Sequence, residues 1–137
     1  MIFIDTGAFL ARYSERDQHH KTARRAWKEL SKRKWRYYTS NFVLDETFTL
    51  LARRTNYLFA VERARIMMTS DVLNILRPSH EEELEAIEYF DKYSDQKVSF
   101  TDCTSFVLMR RNRIKRAFAF DRHFSDAGFE VWPGDHP

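Results

Sequence analysis

The sequence predicts an α/β fold, a three-layer sandwich whose central, mainly parallel sheet has about five strands and carries helices on both faces. Three observations predict it. Short apolar or aromatic stretches alternate with longer stretches of helical character, the order typical of strands connected by helices. The 137 residues include only three glycines and three prolines, so most of the chain is available for regular structure. The chain has no internal repeat and no glycine-, proline- or serine-rich linker, which predicts one domain over 1–137.

The first strand is predicted at 1–5, MIFID, because a short continuous apolar run is typical of a strand buried on both faces. A short helix is expected at about 6–13, and a longer, basic helix at about 18–33. The strand ends in Asp5, and burying an unpaired charge is costly. This carboxylate therefore needs a structural partner or a function.

The second strand is predicted at 35–39, WRYYT, where aromatic residues favour extended structure. Ser40 or Asn41 can cap the helix that follows through FVLDETFTLLARRT, because both side chains accept hydrogen bonds from free amides at a helix start. Another helix is expected at about 57–69, and its apolar residues are unevenly distributed around the helix.

The third strand is predicted in DVLNILRP and is expected to stop at Pro78, which has no amide to donate to a sheet. Ser79 and Glu82 have the spacing of a capping box, in which each side chain satisfies a free amide at a helix start. They predict a helix that extends to about Ser94.

The last part of the chain is predicted to contain one helix and two strands. Thr101 can cap the helix, at about 102–113. The fourth strand is expected at 116–120, RAFAF, and the fifth at 129–133, FEVWP. These elements complete the alternation of strands and helices that predicts a mainly parallel sheet.

The distribution of charge says more than the net charge of +3. The segment 21–36 carries eight bases and one acid, and 110–116 carries five bases. A solvated helix face explains such runs equally well, so interpreting them as a nucleic-acid surface requires a functional site nearby. The candidate RNA-binding residues in these two segments are Arg24, Arg25, Lys32, Arg110 and Arg113.

Several protein classes are disfavoured by composition. No apolar run approaches the roughly 18 residues that span a bilayer, so no membrane association is expected. Asp5 and Arg12 interrupt any signal-peptide core. The single cysteine, Cys103, excludes an internal disulfide framework, fits a reducing cytoplasm, and is expected to be buried and inert.

Acids follow two of the predicted strands, Asp5 after the first and Asp121 after the fourth. The carboxyl ends of parallel strands lie at one edge of a sheet, where ligands bind in such folds. Asp102 opens a helix near this edge. In the helix after the second strand, Glu46 falls at the border of the apolar face, whereas Asp45 points away from it.

Each acid alone has a simpler explanation. Asp5 and Asp121 could cap helices, Asp102 could offset a helix dipole, and Glu46 could be solvated. These explanations do not predict that four distant acids converge. Converging acids would repel one another unless a cation bound, and carboxylate oxygens without histidine or cysteine suit Mg²⁺ or Mn²⁺ rather than Zn²⁺. Such an ion acts on phosphate esters by activating water and neutralising developing charge.

The histidines are expected to contribute less. His19 and His20 are adjacent in sequence, so their side chains point about 100° apart on a helix, and both are expected at the surface. His123 lies two residues after Asp121 and could touch a substrate, but a capping or surface role is the simpler expectation.

Four segments together resemble the PIN domain, most closely the VapC-type toxins of bacterial and archaeal toxin–antitoxin pairs: FIDTGAFLA, SNFVLDETFTLLARR, SFTDCTSFVLMRR and AFAFDRHFSDAGF. The resemblance covers essentially the whole chain. It implies a PIN-like sandwich and a Mg²⁺-dependent (or Mn²⁺-dependent) ribonuclease that cuts single-stranded or looped RNA.

The resemblance also assigns roles to residues. The metal-binding and catalytic acids it implies are Asp5, Glu46, Asp102 and Asp121. Thr6 and Thr101, next to the first and third acids, match small polar positions that support the metal ligands. Where relatives often have Thr or Ser, two residues before the fourth acid, this chain has Ala119, and where some have a further acid, His123 and Phe124 follow. Whether one or two metals act is left open.

VapC-like proteins usually form homodimers and are inhibited by a cognate antitoxin whose C-terminal segment lies across the active-site groove. Surplus apolar residues in the predicted helix at 57–69 would suit a surface for either partner. Two alternatives within the fold are a housekeeping nuclease for RNA maturation and a non-catalytic RNA-binding module. A haloacid-dehalogenase-type phosphatase needs a second Asp where Gly7 stands, which excludes that family.

Overall fold

A computed structural model describes residues 1–134 and contains a five-stranded sheet in that part of the chain. The strands are β1 (Ile2–Ile4), β2 (Tyr37–Ser40), β3 (Leu73–Leu76), β4 (Arg116–Phe118) and β5 (Glu130–Trp132). They lie in the order β3-β2-β1-β4-β5, and all four neighbouring pairs are parallel. This sheet confirms the predicted fold class.

Helices connect and cover the strands. They are α1 (Thr6–Tyr13), α2 (His20–Leu30), α3 (Asn41–Arg54), α4 (Tyr57–Met68), α5 (His80–Lys92), α6 (Phe100–Arg111) and the single turn α7 (His123–Asp126). Successive side chains of a strand point to opposite faces, and all three residues of β1 are at most 1% exposed, so helices cover both faces of the sheet. None of the described helices combines the length and apolar character that crossing a bilayer requires.

The helix starts follow the predicted capping with one exception. The Ser40 hydroxyl accepts the Val43 amide at 3.1 Å, which decides between Ser40 and Asn41, and Ser79 and Glu82 form the capping box. The prediction that Thr101 caps α6 is wrong. The Ser99 hydroxyl accepts the amide of the residue three positions on at 3.0 Å, so α6 begins earlier and Thr101 lies in its first turn.

β1 lies at the centre of the sheet and is fixed on both sides where it ends. The Asp5 amide donates to the Phe118 carbonyl at 3.0 Å, which joins the end of β1 to the end of β4. On the other side, the Thr39 hydroxyl donates to the Ile4 carbonyl at 2.8 Å. The residue that follows β1 is therefore held on one of the most constrained parts of the backbone.

Two helices expose more apolar surface than a packed core requires. In α4, Leu58 is 81% and Ile66 51% exposed, and in α5, Leu84 is 51% exposed. Single exposed apolar residues are common on protein surfaces, but several on one helix are typical of an interaction surface. The uneven apolar distribution seen in the sequence of α4 is thus an exposed surface.

Candidate active site

Four acids from distant parts of the sequence approach one another at the carboxyl edge of the sheet. Asp5 follows β1, Asp121 follows β4, Asp102 lies in the first turn of α6, and Glu46 lies in α3. They are near enough for the charge of each of the other three to raise the pKa of Asp5. Glu46 is half-buried, whereas Asp45 is exposed, as the helical geometry predicts.

Asp5 is the most buried of these acids, at 3% exposed. It occupies the N-cap position of α1, but its carboxylate makes no capping hydrogen bond, and Oδ1 has no hydrogen-bond partner among the described residues. Burial, and then the charges of Asp102 and Asp121, raise the pKa of Asp5 well above its usual range. Capping therefore does not explain why an acid stands here.

Asp102 is also buried, at 7% exposed. Burial raises its pKa to about 6, a hydrogen bond from His123 opposes that rise, and the charge of Asp121 adds to it. His123 Nδ1 donates to Asp102 Oδ2 at 3.0 Å. The neighbouring Cys103 is fully buried, as expected, and burial together with the Asp102 charge raises the pKa of its thiol to about 11.

Asp121 is the exposed member of the cluster. Its Oδ1 accepts the backbone amide of His123 at 2.9 Å and lies 3.9 Å from the imidazole Nδ1. Arg122, and not Asp121, occupies the N-cap position of α7, so this amide contact is not the helix cap that Asp121 could have provided. The His123 side chain lies between Asp121 and Asp102. One potential ligand atom from each of Asp102, Asp121 and His123 lies within 4.8 Å of the other two.

Sequence reasoning undervalued His123. His123 and Asp102 are 21 positions apart in the sequence, and no local sequence pattern predicts that their side chains are in contact. The one available signal was its position two residues after an acid that ends a strand.

The donor set fits a hard divalent cation. The cluster is rich in carboxylate oxygens, and one buried oxygen of Asp5 has no partner among the described residues. The pKa values of Asp5 and Asp102 are raised by burial and by the charges of the neighbouring acids. An ion would remove this repulsion and satisfy the buried oxygen. Carboxylate oxygens suit Mg²⁺ and Mn²⁺.

The two predicted supporting residues differ in what they contact. The Thr6 hydroxyl is buried and donates to the Val43 carbonyl at 3.5 Å, so it connects the start of α1 to the helix that carries Glu46. Thr101 is half-buried, and its backbone carbonyl accepts hydrogen bonds from the hydroxyls of Thr104 and Ser105.

An open groove of about 830 Å³ extends from Asp121 along one side of α2. His19 and Phe120 both line it, with ring centroids 4.7 Å apart and planes only 5° apart. The prediction that His19 and His20 are plain surface residues is wrong. Both are half-buried: His19 stacks on Phe120, and the His20 imidazole lies 2.7 Å from the Ala11 carbonyl oxygen, because α2 packs against α1 at this point.

The five predicted RNA-binding residues occupy different surroundings. Arg24 and Arg25 are exposed on α2, and Arg25 lines the groove. Lys32 lies 3.3 Å from a carboxylate oxygen of Glu29. Arg110 donates to the Ala127 carbonyl and lies over the Phe129 ring, so it is engaged within the fold. The fifth, Arg113, is in the turn before β4, at the sheet edge opposite Asp121.

Comparison with known sequences gives a consistent result. The family model described as "PIN domain" matches residues 2–130. The chain is 40% identical over 134 residues to the 23S rRNA-specific endonuclease VapC20 of Mycobacterium tuberculosis, covering 97% of this chain and 99% of that protein. It is 34% identical over 133 residues to the VapC ribonuclease of Archaeoglobus fulgidus, covering 94% of this chain and 83% of that protein.

Solved structures give the same fold. The crystal structure of Mycobacterium tuberculosis VapC20, described as a Sarcin-Ricin loop cleaving toxin, superposes with a TM-score of 0.85 at 37% identity, covering 94% of this chain and 96% of that one. FitAcB from Neisseria gonorrhoeae superposes with a TM-score of 0.65 at 15% identity, covering 96% of both chains. The second likeness concerns the fold alone.

Proposed function

The chain belongs to the PIN-domain family, in its VapC-type branch, and on this premise we propose that it is a metal-dependent endoribonuclease that acts as the toxin of a VapBC-like toxin–antitoxin pair. The observation that carries the chemical part of the proposal is a buried Asp5 oxygen that has no partner among the described residues, in a carboxylate near enough to Asp102, Asp121 and Glu46 for their charges to raise its pKa. A purely structural cluster would be expected to satisfy that oxygen within the fold.

In this proposal the four acids hold Mg²⁺ or Mn²⁺, with Asp5 directly after the central strand β1 and Asp102 in the first turn of α6. The bound ion supplies Lewis-acid chemistry toward the phosphodiester and a water nucleophile. The chain's own residues supply orientation. His123 donates to Asp102 Oδ2 and fixes the direction of that carboxylate, as partners of metal-binding groups commonly do. Thr6 fixes the start of α1 against α3, and thereby Asp5 relative to Glu46.

The relatives suggest which RNA to test. One acts, by its name, on 23S rRNA, and its structure is described as that of a toxin cleaving the sarcin-ricin loop. We propose ribosomal RNA as the substrate class of this chain as well. Intact ribosomes and an isolated sarcin-ricin stem-loop should both be cut if the preference is shared, and cutting of unrelated single-stranded RNA with equal efficiency would argue against it.

The chemistry is tested by Asp102→Asn, with Asp45→Asn as the matched control on the exposed side of α3. We expect wild type and Asp45→Asn to cleave RNA with Mg²⁺ or Mn²⁺ and to stop with EDTA, while Asp102→Asn stays folded, binds the ion weakly in calorimetry and does not cleave. Unchanged cleavage by Asp102→Asn would refute the site assignment. RNA binding without cleavage by wild type would favour a non-catalytic RNA-binding module.

The partner part of the proposal comprises a cognate antitoxin and a homodimer. The exposed apolar residues of α4 and α5, including Leu58, Ile66 and Leu84, offer surface for such contacts. Induced expression of the chain alone should arrest growth, and co-expression of a neighbouring antitoxin gene should relieve the arrest. Normal growth with active enzyme in the cell would favour the housekeeping nuclease instead.

A further inference from the structure

We propose that the RNA strand extends from the acids across α2, where the His19–Phe120 stack receives an unstacked base and a cationic face of α2 binds the backbone phosphates that follow it. This inference rests on the proposed function, because it assumes an RNA substrate at the acid cluster. It adds a path for the strand and the residues that hold it outside the catalytic centre.

The stacked pair is placed to hold the first base beyond the acids. Phe120 immediately precedes Asp121, and both line the groove together with His19. Behind Phe120, the fully buried Phe118 ring lies edge-on at 5.8 Å, so the stack rests on the core. Aromatic rings that remain partly exposed beside a groove are the platforms on which proteins stack single-stranded bases. A base inside a duplex could not reach such a platform without leaving its own stack.

The cationic face consists of Lys21, Arg24, Arg25 and Lys28, four exposed residues spaced so that they share one side of α2. They line a shallow depression of about 290 Å³. The opposite side of the helix carries the residues that pack into the fold, Ala23, Ala26 and Leu30. The cationic face therefore points to solvent, away from the sheet.

No carboxylate among residues 1–134 forms an ion pair with any of the four cations of this face. Elsewhere on the surface, Arg54, Arg111 and Arg116 are each paired with an acid. A row of four unpaired cations repels itself, and a polyanion that lies along it removes this repulsion while releasing its own counterions.

Arg25 joins the two features, because it lines both the groove and the cationic depression. The surface is thus continuous from Asp121, past the stacked rings, to the solvent face of α2. An acidic cluster alone repels a phosphate backbone, so a nuclease needs cations on the path by which the strand approaches. The geometry places those cations on α2 rather than near Arg113, which lies at the opposite edge of the sheet.

The cationic face is tested in an Asp102→Asn background, in which RNA binding is measured without cleavage. The test variant is Lys21→Gln/Arg24→Gln/Lys28→Gln, and the control is Arg53→Gln/Arg65→Gln/Arg77→Gln. The control changes the net charge equally at exposed positions that form no ion pair with a described residue. Binding of a short single-stranded RNA is followed by fluorescence anisotropy over a range of salt concentrations.

We expect the test variant to bind about tenfold more weakly, and its salt dependence, as the slope of log K against log salt, to be lower by about 0.7 for each phosphate that the variant no longer neutralises. The control should keep the slope of the Asp102→Asn chain. Equal slopes in test and control variants would overturn the cationic path. If wild type neither binds nor cleaves RNA, both this inference and the proposed function fail. If wild type cleaves RNA and the α2 changes alter neither slope nor cleavage, only this inference fails.

The stack is tested with RNA carrying 2-aminopurine, whose fluorescence is quenched when the base stacks. His19→Ala and His19→Asn should each reduce the quenching on binding while leaving the salt slope unchanged, because neither removes a cation of the α2 face. His19→Asn keeps a polar side chain at the start of α2, and circular dichroism verifies that both variants are folded. Undiminished quenching in both folded variants would overturn the base-binding role.

Discussion

A cluster of acidic side chains lies at each end of α6, and the two clusters differ in the group that faces the acids. At its C-terminal end, Arg111 faces three acids of α5, with Glu85 at 2.8 Å and Glu81 and Glu82 at 3.9 Å. At its N-terminal end, Asp102 lies near three other acids, and the side chain that contacts its carboxylate is the His123 imidazole. The chain supplies a guanidinium to one cluster and an imidazole to the other.

The difference separates a structural cluster from a functional one. The α5 acids are exposed or half-buried and neutralised locally, and exposed ion pairs of this kind contribute little to the free energy of unfolding. Asp5 and Asp102 are buried, and their pKa values are raised by that burial and further by the charges of neighbouring acids. Such an arrangement costs stability unless an ion from solution completes it. The acid cluster at which the chemistry is proposed to occur therefore lowers the stability of the metal-free fold.

The largest effect is expected from Asp5→Asn, in the cluster that contains Asp102. We expect RNA cleavage to fall by about 10²–10³-fold, the size typical when one electrostatic interaction with a transition state is removed. The metal-free variant should melt at a higher temperature than wild type near pH 7.5, because a buried carboxylate without a hydrogen-bond partner for Oδ1 has been neutralised. Glu85→Gln, in the other cluster, is the control and should leave cleavage unchanged. A lower melting temperature for metal-free Asp5→Asn than for metal-free wild type would contradict the idea that the Asp5 carboxylate destabilises the fold.

The next prediction concerns pH. The pKa of Asp102 is about 6 in the folded chain, above the roughly 3.9 of an unfolded one. The stability gained from its protonation is therefore complete below about pH 4 and is lost as pH rises through about 6, a change of about 3 kcal/mol if Asp102 titrates alone. Denaturant unfolding of the metal-free chain between pH 4 and 8 measures this loss, with Asp102→Asn as reference. Adding Mg²⁺ or Mn²⁺ at pH 8 should restore the lost stability in wild type only.

A smaller effect is expected from His123→Ala, since His123 acts through Asp102. Metal affinity in calorimetry should fall by about 10- to 100-fold, as is typical when a partner of a metal ligand is removed. His123→Asn, whose amide nitrogen can donate to the same carboxylate, should recover part of the loss. His80→Ala, at the exposed start of α5, should bind the ion as wild type does. Equal affinities for His123→Ala and His80→Ala would remove His123 from the site.

The smallest effect is expected at the other end of α6. Arg111→Gln breaks the contacts with Glu81, Glu82 and Glu85, but all of them are at or near the surface. The melting temperature should drop slightly at low salt and not at all at high salt, because ions screen exposed pairs. Cleavage and metal affinity should not change. A loss of either would mean that the two ends of α6 are coupled.

The sheet and the position of its terminal acids could be predicted because they depend on local signals. Apolar runs that end in Asp5 and Asp121 identify both the strands and the edge where they stop. Likewise, the side of α3 that carries Glu46 follows from helical periodicity alone. These features need no knowledge of which residues meet in space.

The remaining features depend on contacts between distant segments. Ser99, and not Thr101, caps α6. Both residues carry a hydroxyl group and they lie two positions apart, so the sequence alone does not show which of them is the cap. The side chains of His123 and Asp102 are in contact although they lie 21 positions apart in the sequence. Likewise, His19, at the start of α2, stacks on Phe120, which follows β4 near the other end of the chain. The side-chain partners within the site and the course of the groove therefore emerged only from the folded structure.

The burial of Cys103 affects both the metal selectivity of the neighbouring acid cluster and its sensitivity to oxidation. A thiolate next to Asp102 would be a soft ligand, able to recruit Zn²⁺ or Cu⁺ in place of the hard ions that carboxylates prefer. Because the pKa of the Cys103 thiol is raised to about 11, the proton stays on sulfur, and the side chain has no access to solvent. Thiophilic metals and peroxides thus find no reactive sulfur beside the acids, although the sequence places one at the adjacent position.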